Sequence, residues 1–427
     1  MNREEVMNFI DNSKKFGSRL ELVRIQRLAE LLGNPQDEIR FIHVAGTNGK
    51  GSTSVFMHNI LVDAGYKTGL YTSPFIYEFN ERIQINNTPI SDSDLTEIMT
   101  VVSQKVKIMT EEGYEHPTEF ELITAAAFLY FKKQKCDYVI LEVGLGGIYD
   151  ATNIIKSPVL SVITSISLDH TDYLGNTVSD VAMNKCGIIK KGCPVLTYMN
   201  QVPDALEVIK ETARKMSAPI TVADGCGLEI LKCDLSGNEF SYCGEVYETS
   251  LVGKYQIYNS ITAISAAKIL CDAGLAISKA NIKNGLKAAK WPARFEILHR
   301  NPTVIADGSH NADGMNAFVE TAKQIMNEKP VCVFGMLCDK DYDFCLEKLS
   351  EITDTVVVTE VDSPRKETVE NLKKTAQKYI KTVYAHKDNR LAVEKALSFA
   401  GKNGTVIALG SLYMMKNIKD TIKKQDL

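Results

Sequence analysis

Short apolar runs rich in β-branched residues alternate with amphipathic segments from Phe41 almost to the last residue. A chain that inserts a covering helix between successive strands builds a parallel sheet with crossover helices. Residues 41–45, 67–71, 138–142 and 159–164 read as strands of one such sheet, and residues 51–64 as the helix after the first strand. A second series at 303–306, 331–334, 355–358, 382–384 and 406–409 predicts a Rossmann-like sheet with helices between its strands. Between 225 and 251 the texture changes to short alternating runs separated by Gly-Asn and Gly-Glu turns, which predicts a small antiparallel meander inserted in the first domain. The Trp291-Pro292 segment precedes the restart of the alternation, so a boundary near Leu298 is expected, with domains at 1–298 and 299–427. Two α/β domains imply a ligand cleft between them.

Length and charge narrow the function. At 427 residues the chain has room for two or three domains of ~150 residues. Its 49 Lys and Arg against 53 Asp and Glu give a net charge of −4, without the basic surplus a nucleic-acid binder carries. The longest apolar stretch, residues 123–131, is far short of the ~20 residues of a membrane span. Its first residues show no apolar export segment. Ten cysteines occur without a C-x-x-C pair, which points to free thiols in a reducing compartment. A soluble, cytoplasmic, monomeric protein with no membrane or nucleic-acid partner is expected.

The strongest local signal is the run from Phe41 to Thr53, FIHVAGTNGKGST, in which a strand enters a Gly-rich turn that carries a lysine and hydroxyls into a helix. This is the layout of a phosphate-binding loop: glycines let backbone N–H groups approach phosphate oxygens, and the helix N-terminus adds partial positive charge. Lys50 supplies a mobile cation and Ser52 a hydroxyl, although the glycine spacing is short and Gly51 separates the two. Glu142 ends an apolar strand, where an acid serves equally as a helix cap or as the magnesium acid of a nucleotide site, and the Gly144, Gly146 and Gly147 that follow favour the second. His43, inside a strand, reads as a satisfied core histidine. Asp339 and Asp341 read equally as loop acids, and Lys416 to Lys424 as a solvated helix face.

TNGKGS (47–52), YTSPF (71–75), FNERI (79–83), TEFE (118–121), LEVGLGG (141–147), DATN (150–153), LDH (168–170) and KCGIIK (185–190) occur in the order seen in folylpolyglutamate synthases. GKYQIYN (253–259), WPARFE (291–296), ADGSHN (306–311), GMLCDKD (335–341) and ALGSLY (408–413) continue it. The chain therefore resembles that family, which includes bifunctional dihydrofolate synthases and belongs to the Mur ligase superfamily of ATP-dependent amide ligases. The resemblance implies an α/β fold made of an N-terminal P-loop-type ATPase domain and a C-terminal Rossmann-like glutamate-ligase domain. It implies transfer of L-glutamate to the γ-carboxylate of a folate through an acyl phosphate, with dihydropteroate as a further candidate acceptor, ATP and Mg²⁺ as cofactors and K⁺ as another candidate. Asn48, Gly49, Lys50, Gly51 and Ser52 would hold the ATP phosphates. Asn259, Arg294, Asp307 and His310 would hold the nucleotide from the other side of the cleft. Ser73, Glu142 and His170 would ligate magnesium, directly or through water. Lys185 matches a lysine the family carries as a carbamate, an anion with two oxygens where an ammonium would repel a cation. Thr118, Glu119, Phe120 and Glu121 match a pterin-contacting segment, and Arg82, His310 and Ser411 are candidates for the incoming glutamate. Lys50, Lys185 and His170 would carry the chemistry.

The sequence departs from the family at three places: Asn184 stands where Glu is usual, Tyr255 where His is frequent, and Ala312 where Pro often follows. The rival reading is a P-loop switch or binding protein without ligase activity. Asn184-Lys185-Cys186-Gly187 resembles a guanine motif, but Gly187 replaces its discriminating Asp, and a switch protein has no place for a second α/β domain.

Overall fold

In the computed structural model, which describes residues 1–17 and 21–424, the chain divides into two compact units. Met1–Cys226 and Tyr258–Ala289 form the first; Gly227–Ile257 and the chain from Lys290 onward form the second.

The first unit holds an eight-stranded sheet built from β1 (Phe41–Ala45), β2 (Thr68–Tyr71), β3 (Ile83–Ile85), β4 (Thr88–Pro89), β5 (Tyr138–Glu142), β6 (Leu160–Ile163), β7 (Val195–Thr197) and β8 (Ile220–Val222). Their order is β4-β3-β2-β5-β1-β6-β7-β8, parallel throughout except for β3 and β4 at one edge. Every residue of β1, β5 and β6 is buried, as the near-continuous apolar runs require of strands covered on both faces. The helix Lys50–Asp63 follows β1 and is buried from Ser52 to Leu61. Helix Lys279–Ala288 packs on it at Gly285, where a Cβ would lie 2.5 Å from the Ile60 backbone nitrogen. Only a bare backbone fits that crossing.

The second unit contains the meander β9 (Glu229–Asp234), β10 (Gly237–Tyr242) and β11 (Glu245–Thr249), antiparallel as expected. It also contains a six-stranded sheet: β12 (Glu296–Arg300), β13 (Thr303–Asp307), β14 (Val331–Phe334), β15 (Thr355–Val358), β16 (Thr382–Ala385) and β17 (Thr405–Leu409). The order is β12-β13-β17-β14-β15-β16, parallel except for the edge strand β12. Two expectations are corrected. The boundary at Leu298 falls inside β12, which pairs antiparallel with β13, so the second unit resumes at Lys290. The meander groups with the second unit rather than the first, and Leu235 and Val252 join the apolar cluster of Phe295, Ile305 and Phe318.

Among the described residues no helix is long and apolar enough to cross a membrane. Among the described residues no disulfide links any of the ten cysteines. His43 is fully buried with Nε2 2.9 Å from Thr152 Oγ1, the core role expected of it. Burial lowers its pKa to about 3 and that of His58 to about 4, from an ordinary 6.5.

Both groups take up a proton more readily in the unfolded chain. The stability they contribute is therefore complete above about pH 6.5 and is lost as the pH falls toward their folded values. The unfolding free energy from denaturant titration should drop between about pH 7 and about pH 5, by on the order of 1–2 kcal/mol per histidine. A His43→Gln/His58→Gln variant should show a shallower pH dependence, and an unchanged slope would contradict this account.

Candidate active site

The turn after β1 is held by backbone and hydroxyl contacts to the segment after β6. Thr47 N and Asn48 N donate to Ser165 O at 2.7 and 3.3 Å, and Ser167 N donates to Thr47 Oγ1 at 3.1 Å. Thr164 Oγ1 donates to Asn48 O at 2.8 Å. A Cβ at Gly46 would lie 1.8 Å from that hydroxyl, so glycine is required there by contact alone. Gly49 sits at φ +83° as the N-terminal cap of helix Lys50–Asp63, a left-handed conformation that glycine adopts without strain. Its hydrogen faces Asn259, whose Oδ1 would be 2.5 Å from a Cβ. Asn259 thus stands beside the glycine loop in the first unit, and the expectation that it serves from the opposite side with Arg294, Asp307 and His310 is corrected.

Two lysines converge on one carbonyl. Lys50 Nζ donates to Gly46 O at 3.0 Å and to Thr47 O at 3.1 Å, and Lys185 Nζ donates to Gly46 O at 2.8 Å. Lys185 ends the helix Val178–Lys185 and is 5% exposed. Burial and then the neighbouring Lys50 charge lower its pKa to about 7, against the opposing pull of Asp169 and Asp150. Asp150 is buried and accepts from Leu145 N at 2.8 Å and Thr152 N at 3.0 Å, which fixes the glycine turn after β5.

Glu142 ends β5, Ser73 follows β2, and His170 follows β6, so all three lie at the C-terminal edge of one parallel sheet. Open α/β sheets bind ligands along that edge. Glu142 is 4% exposed; His170 has φ +52° and Nε2 3.9 Å from Asp169 Oδ1. Among the described residues no three His, Cys, Asp or Glu side chains gather as a ready-made metal cage. One strand-end carboxylate and a hydroxyl are the hard oxygen donors that suit Mg²⁺, which keeps much of its hydration and uses one or two carboxylates.

A third cluster lies beyond β2. Arg82 is buried, its guanidinium is 5.3 Å from the Phe75 ring centre, and Nη2 is 3.4 Å from Glu119 Oε1. Phe120 packs against the backbone of Gly144, where a Cβ would lie 2.5 Å from Cζ. The structure brings Arg82, Glu119 and Phe120 together but turns Thr118 and Glu121 to another task. They form the capping box of helix Glu119–Lys133, with Thr118 N donating to Glu121 Oε2 at 2.7 Å.

In the second unit Asp307 is buried at the end of β13. It accepts from Phe295 N at 2.8 Å and from Ser309 N at 2.8 Å. Arg294 lies against Gly308, with Nη1 2.4 Å from a Cβ placed there. His310 Nδ1 is 2.8 Å from Gly308 O, and Ser411 follows the neighbouring β17. Asp339 bridges to Arg365 Nη1 at 3.2 Å, and Asp341 caps helix Tyr342–Leu349. Sequence reasoning quoted Asp150 and Asp169 within motifs without giving them roles, and it missed the Thr164–Ser167 strap, whose contacts are non-local.

Comparison with known proteins identifies the family. Residues 44–267 match the Mur ligase middle domain and residues 293–412 the Mur ligase glutamate ligase domain. A dihydrofolate synthase/folylpolyglutamate synthase of Bacillus subtilis (strain 168) is 38% identical over 429 aligned residues, covering 98% of this chain and 99% of that protein. A Mycobacterium tuberculosis folylpolyglutamate synthase solved with ADP and AMPPCP aligns over 99% of this chain and 98% of that one, with a TM-score of 0.89 and 29% identity. A folylpolyglutamate synthase complex with AMPPCP and folate aligns over 99% of this chain and 100% of that one, with a TM-score of 0.84 and 34% identity.

Gly46→Ala should destabilise the first unit by about 1–3 kcal/mol through overpacking against Thr164. Combining it with Thr164→Ala should recover part of that loss in a double-mutant cycle of denaturation midpoints. Strict additivity of the two substitutions would show that the contact does not decide the cost.

Proposed function

Because the chain belongs to the dihydrofolate synthase/folylpolyglutamate synthase family of the Mur ligase superfamily, we infer that it is an ATP-dependent ligase joining L-glutamate to a folate. The observation that carries this reading is the glycine loop at the head of helix Lys50–Asp63, with Lys50 and Lys185 meeting on the Gly46 carbonyl. Such a loop suits a polyphosphate, because backbone amides, the helix N-terminus and a mobile ammonium all favour negative charge.

The chemistry demands such a site. A carboxylate is a poor acyl donor, since its anion repels a nucleophile and its oxygen is a poor leaving group. Passing the terminal phosphoryl of ATP to a γ-carboxylate oxygen converts it to an acyl phosphate. The amine of glutamate then attacks the acyl carbon, the carbon–oxygen bond to phosphate breaks, and an amide remains. Asn48 to Ser52 would bind the phosphates and Lys50 would offset the charge that moves between their oxygens. Glu142, with Ser73 and His170, would hold Mg²⁺, which when bound supplies a hard positive charge to phosphate oxygens. Arg294, Asp307 and His310 are proposed for the nucleotide, with Asn259 beside the loop. Arg82, Glu119 and Phe120 are proposed for the folate end of the site. Ser411 remains a candidate for the incoming glutamate. Thr118 and Glu121 would act there through the cap they form.

We further propose that dihydropteroate is an acceptor, because the Bacillus relative that matches end to end carries both activities in its name. With the acceptor carboxylate labelled in oxygen, one label atom per turnover should appear in the released phosphate, for dihydropteroate as for tetrahydrofolate. Unlabelled phosphate would exclude the acyl-phosphate route, and turnover with tetrahydrofolate alone would exclude the second substrate.

Lys185 is proposed to be a carbamate in the working enzyme. It is buried beside a second lysine, where a lasting positive charge is disfavoured. Its neutral amine would attack the carbon of CO₂, forming an N–C bond as one carbon–oxygen π bond becomes an O⁻ and a proton leaves the nitrogen. Lys185→Ala should lower ligation by about 100-fold or more, and Lys185→Glu should retain more activity than Lys185→Ala. Mass spectrometry after chemical trapping should find the added carboxyl group on Lys185. An unmodified Lys185 together with full activity in Lys185→Ala would refute the assignment.

A further inference from the structure

Helix Glu119–Lys133 begins at its cap, and the cap is gripped from outside by a residue to which neither motif nor resemblance gives a role. Arg24, on helix Val23–Leu31, places Nε 3.1 Å from Glu121 Oε2, and both side chains are almost wholly buried at 3% and 5% exposure. The same guanidinium reaches Glu21 Oε2 at 3.3 Å and Glu115 Oε2 at 3.5 Å through Nη1. The oxygen it holds is the one that accepts from Thr118 N to close the capping box.

Stability is a poor explanation for this pair. Two charges removed from water cost more than their attraction repays unless the remaining donors and acceptors are satisfied, and well-packed apolar replacements are often as stable. Here they are not all satisfied. Among the described residues, Arg24 Nη2 and Glu121 Oε1 are buried without a hydrogen-bond partner. A capping box also needs no arginine, because Thr118 and Glu121 complete it between themselves.

The first turn of the helix faces three ways. Glu121 points to Arg24, Glu119 meets Arg82 at 3.4 Å, and Phe120 lies against the Gly144 backbone. Successive helical residues are set about 100° apart, so the direction of Glu121 fixes those of the two residues before it. Thr118 and Glu121 would still be a cap if the turn rotated slightly. Arg24 removes that freedom by tying Glu121 to a second helix.

We propose that Arg24 is a positioning residue for the folate end of the site. By holding Glu121 it sets the direction of Glu119 and Phe120, which face the acceptor. This rests on the reading of the chain as a folate ligase given above.

Steady-state kinetics with tetrahydrofolate and ATP varied separately test it. Arg24→Met, of similar length and uncharged, should raise the KM for tetrahydrofolate about tenfold, with kcat and the KM for ATP within about twofold of wild type. Arg24→Lys keeps a point charge without the planar fork and should lie between, at about threefold. A purely structural role would instead lower the active fraction, so kcat would fall while both KM values stayed fixed. That pattern, or a wild-type KM for tetrahydrofolate in Arg24→Met, overturns the proposal. If Arg24→Met does not fold, Arg24→Lys decides alone, and a wild-type KM for tetrahydrofolate in it overturns the proposal. A wild-type protein without folate-dependent phosphate release would defeat the ligase reading and this inference with it. Normal wild-type ligation with Arg24 variants silent in that KM defeats this inference only.

Discussion

Two amine groups share one carbonyl oxygen, that of Gly46, and one of them belongs to a buried lysine. Burial strips the solvent that would stabilise the charge, and the like charge of Lys50 repels it, so the pKa of Lys185 drops to about 7. Such an arrangement persists only if the surrounding structure holds both amines in place and negative charge relieves them. The parallel sheet does the holding: β1 delivers the loop bearing Gly46, and the strap after β6 fastens that loop by the Thr47, Asn48 and Thr164 bonds. Asp169 and Asp150 supply part of the relief from the sides. In the ligase reading the rest comes from phosphate oxygens at Lys50 and from the carbamate proposed on Lys185, which turns that amine into an anion. Preorganised charge held by a rigid loop is how a protein favours an anionic transition state, at a cost to its own stability.

Much of this was legible in the sequence because its cause is local. Apolar runs such as residues 41–45 and 138–142 can only be strands buried on both faces, and they are. The glycine loop was legible because φ +83° at Gly49 and the crowding at Gly46 leave room for no other residue. What failed to show had two causes. Residues 296–300 are at most half-buried and lack the continuous apolar run of the central strands, so their antiparallel pairing with β13, two residues on, leaves little mark in the sequence and the boundary reads too late. The resemblance groups Asn259 with Arg294, yet the helix Lys254–Asp272 carries it to Gly49, a contact far away in sequence.

The segment Thr118 to Glu121 shows a subtler limit. Its pattern of Thr followed three residues later by Glu is a helix-start signal on physical grounds, and the same four residues match a substrate-contacting motif. The structure divides the labour along the turn: Thr118 and Glu121 satisfy backbone donors, while Glu119 and Phe120 are left to face Arg82 and Gly144. In the ligase reading the motif thus mixes residues proposed to touch the folate with residues that aim them.

The two units solve a common problem with the same device. Each must hold an irregular turn at the C-terminal edge of a parallel sheet, where backbone N–H groups have no strand partner. In the first unit the carboxylate of Asp150 takes the amides of Leu145 and Thr152; in the second Asp307 takes those of Phe295 and Ser309. Burial pushes the pKa of both upward, and the hydrogen bonds they accept oppose that push. The second case carries more strain, since Ala293 and Phe295 sit at φ +50° and +49°, a region costly for residues with a Cβ. Asp307 on the Phe295 amide and the Gly308 amide on the Ala293 carbonyl, at 2.8 Å each, are what keep that backbone in place. Between the two strained residues stands Arg294, so the strain fixes the direction of the one cation in that turn rather than stabilising the fold.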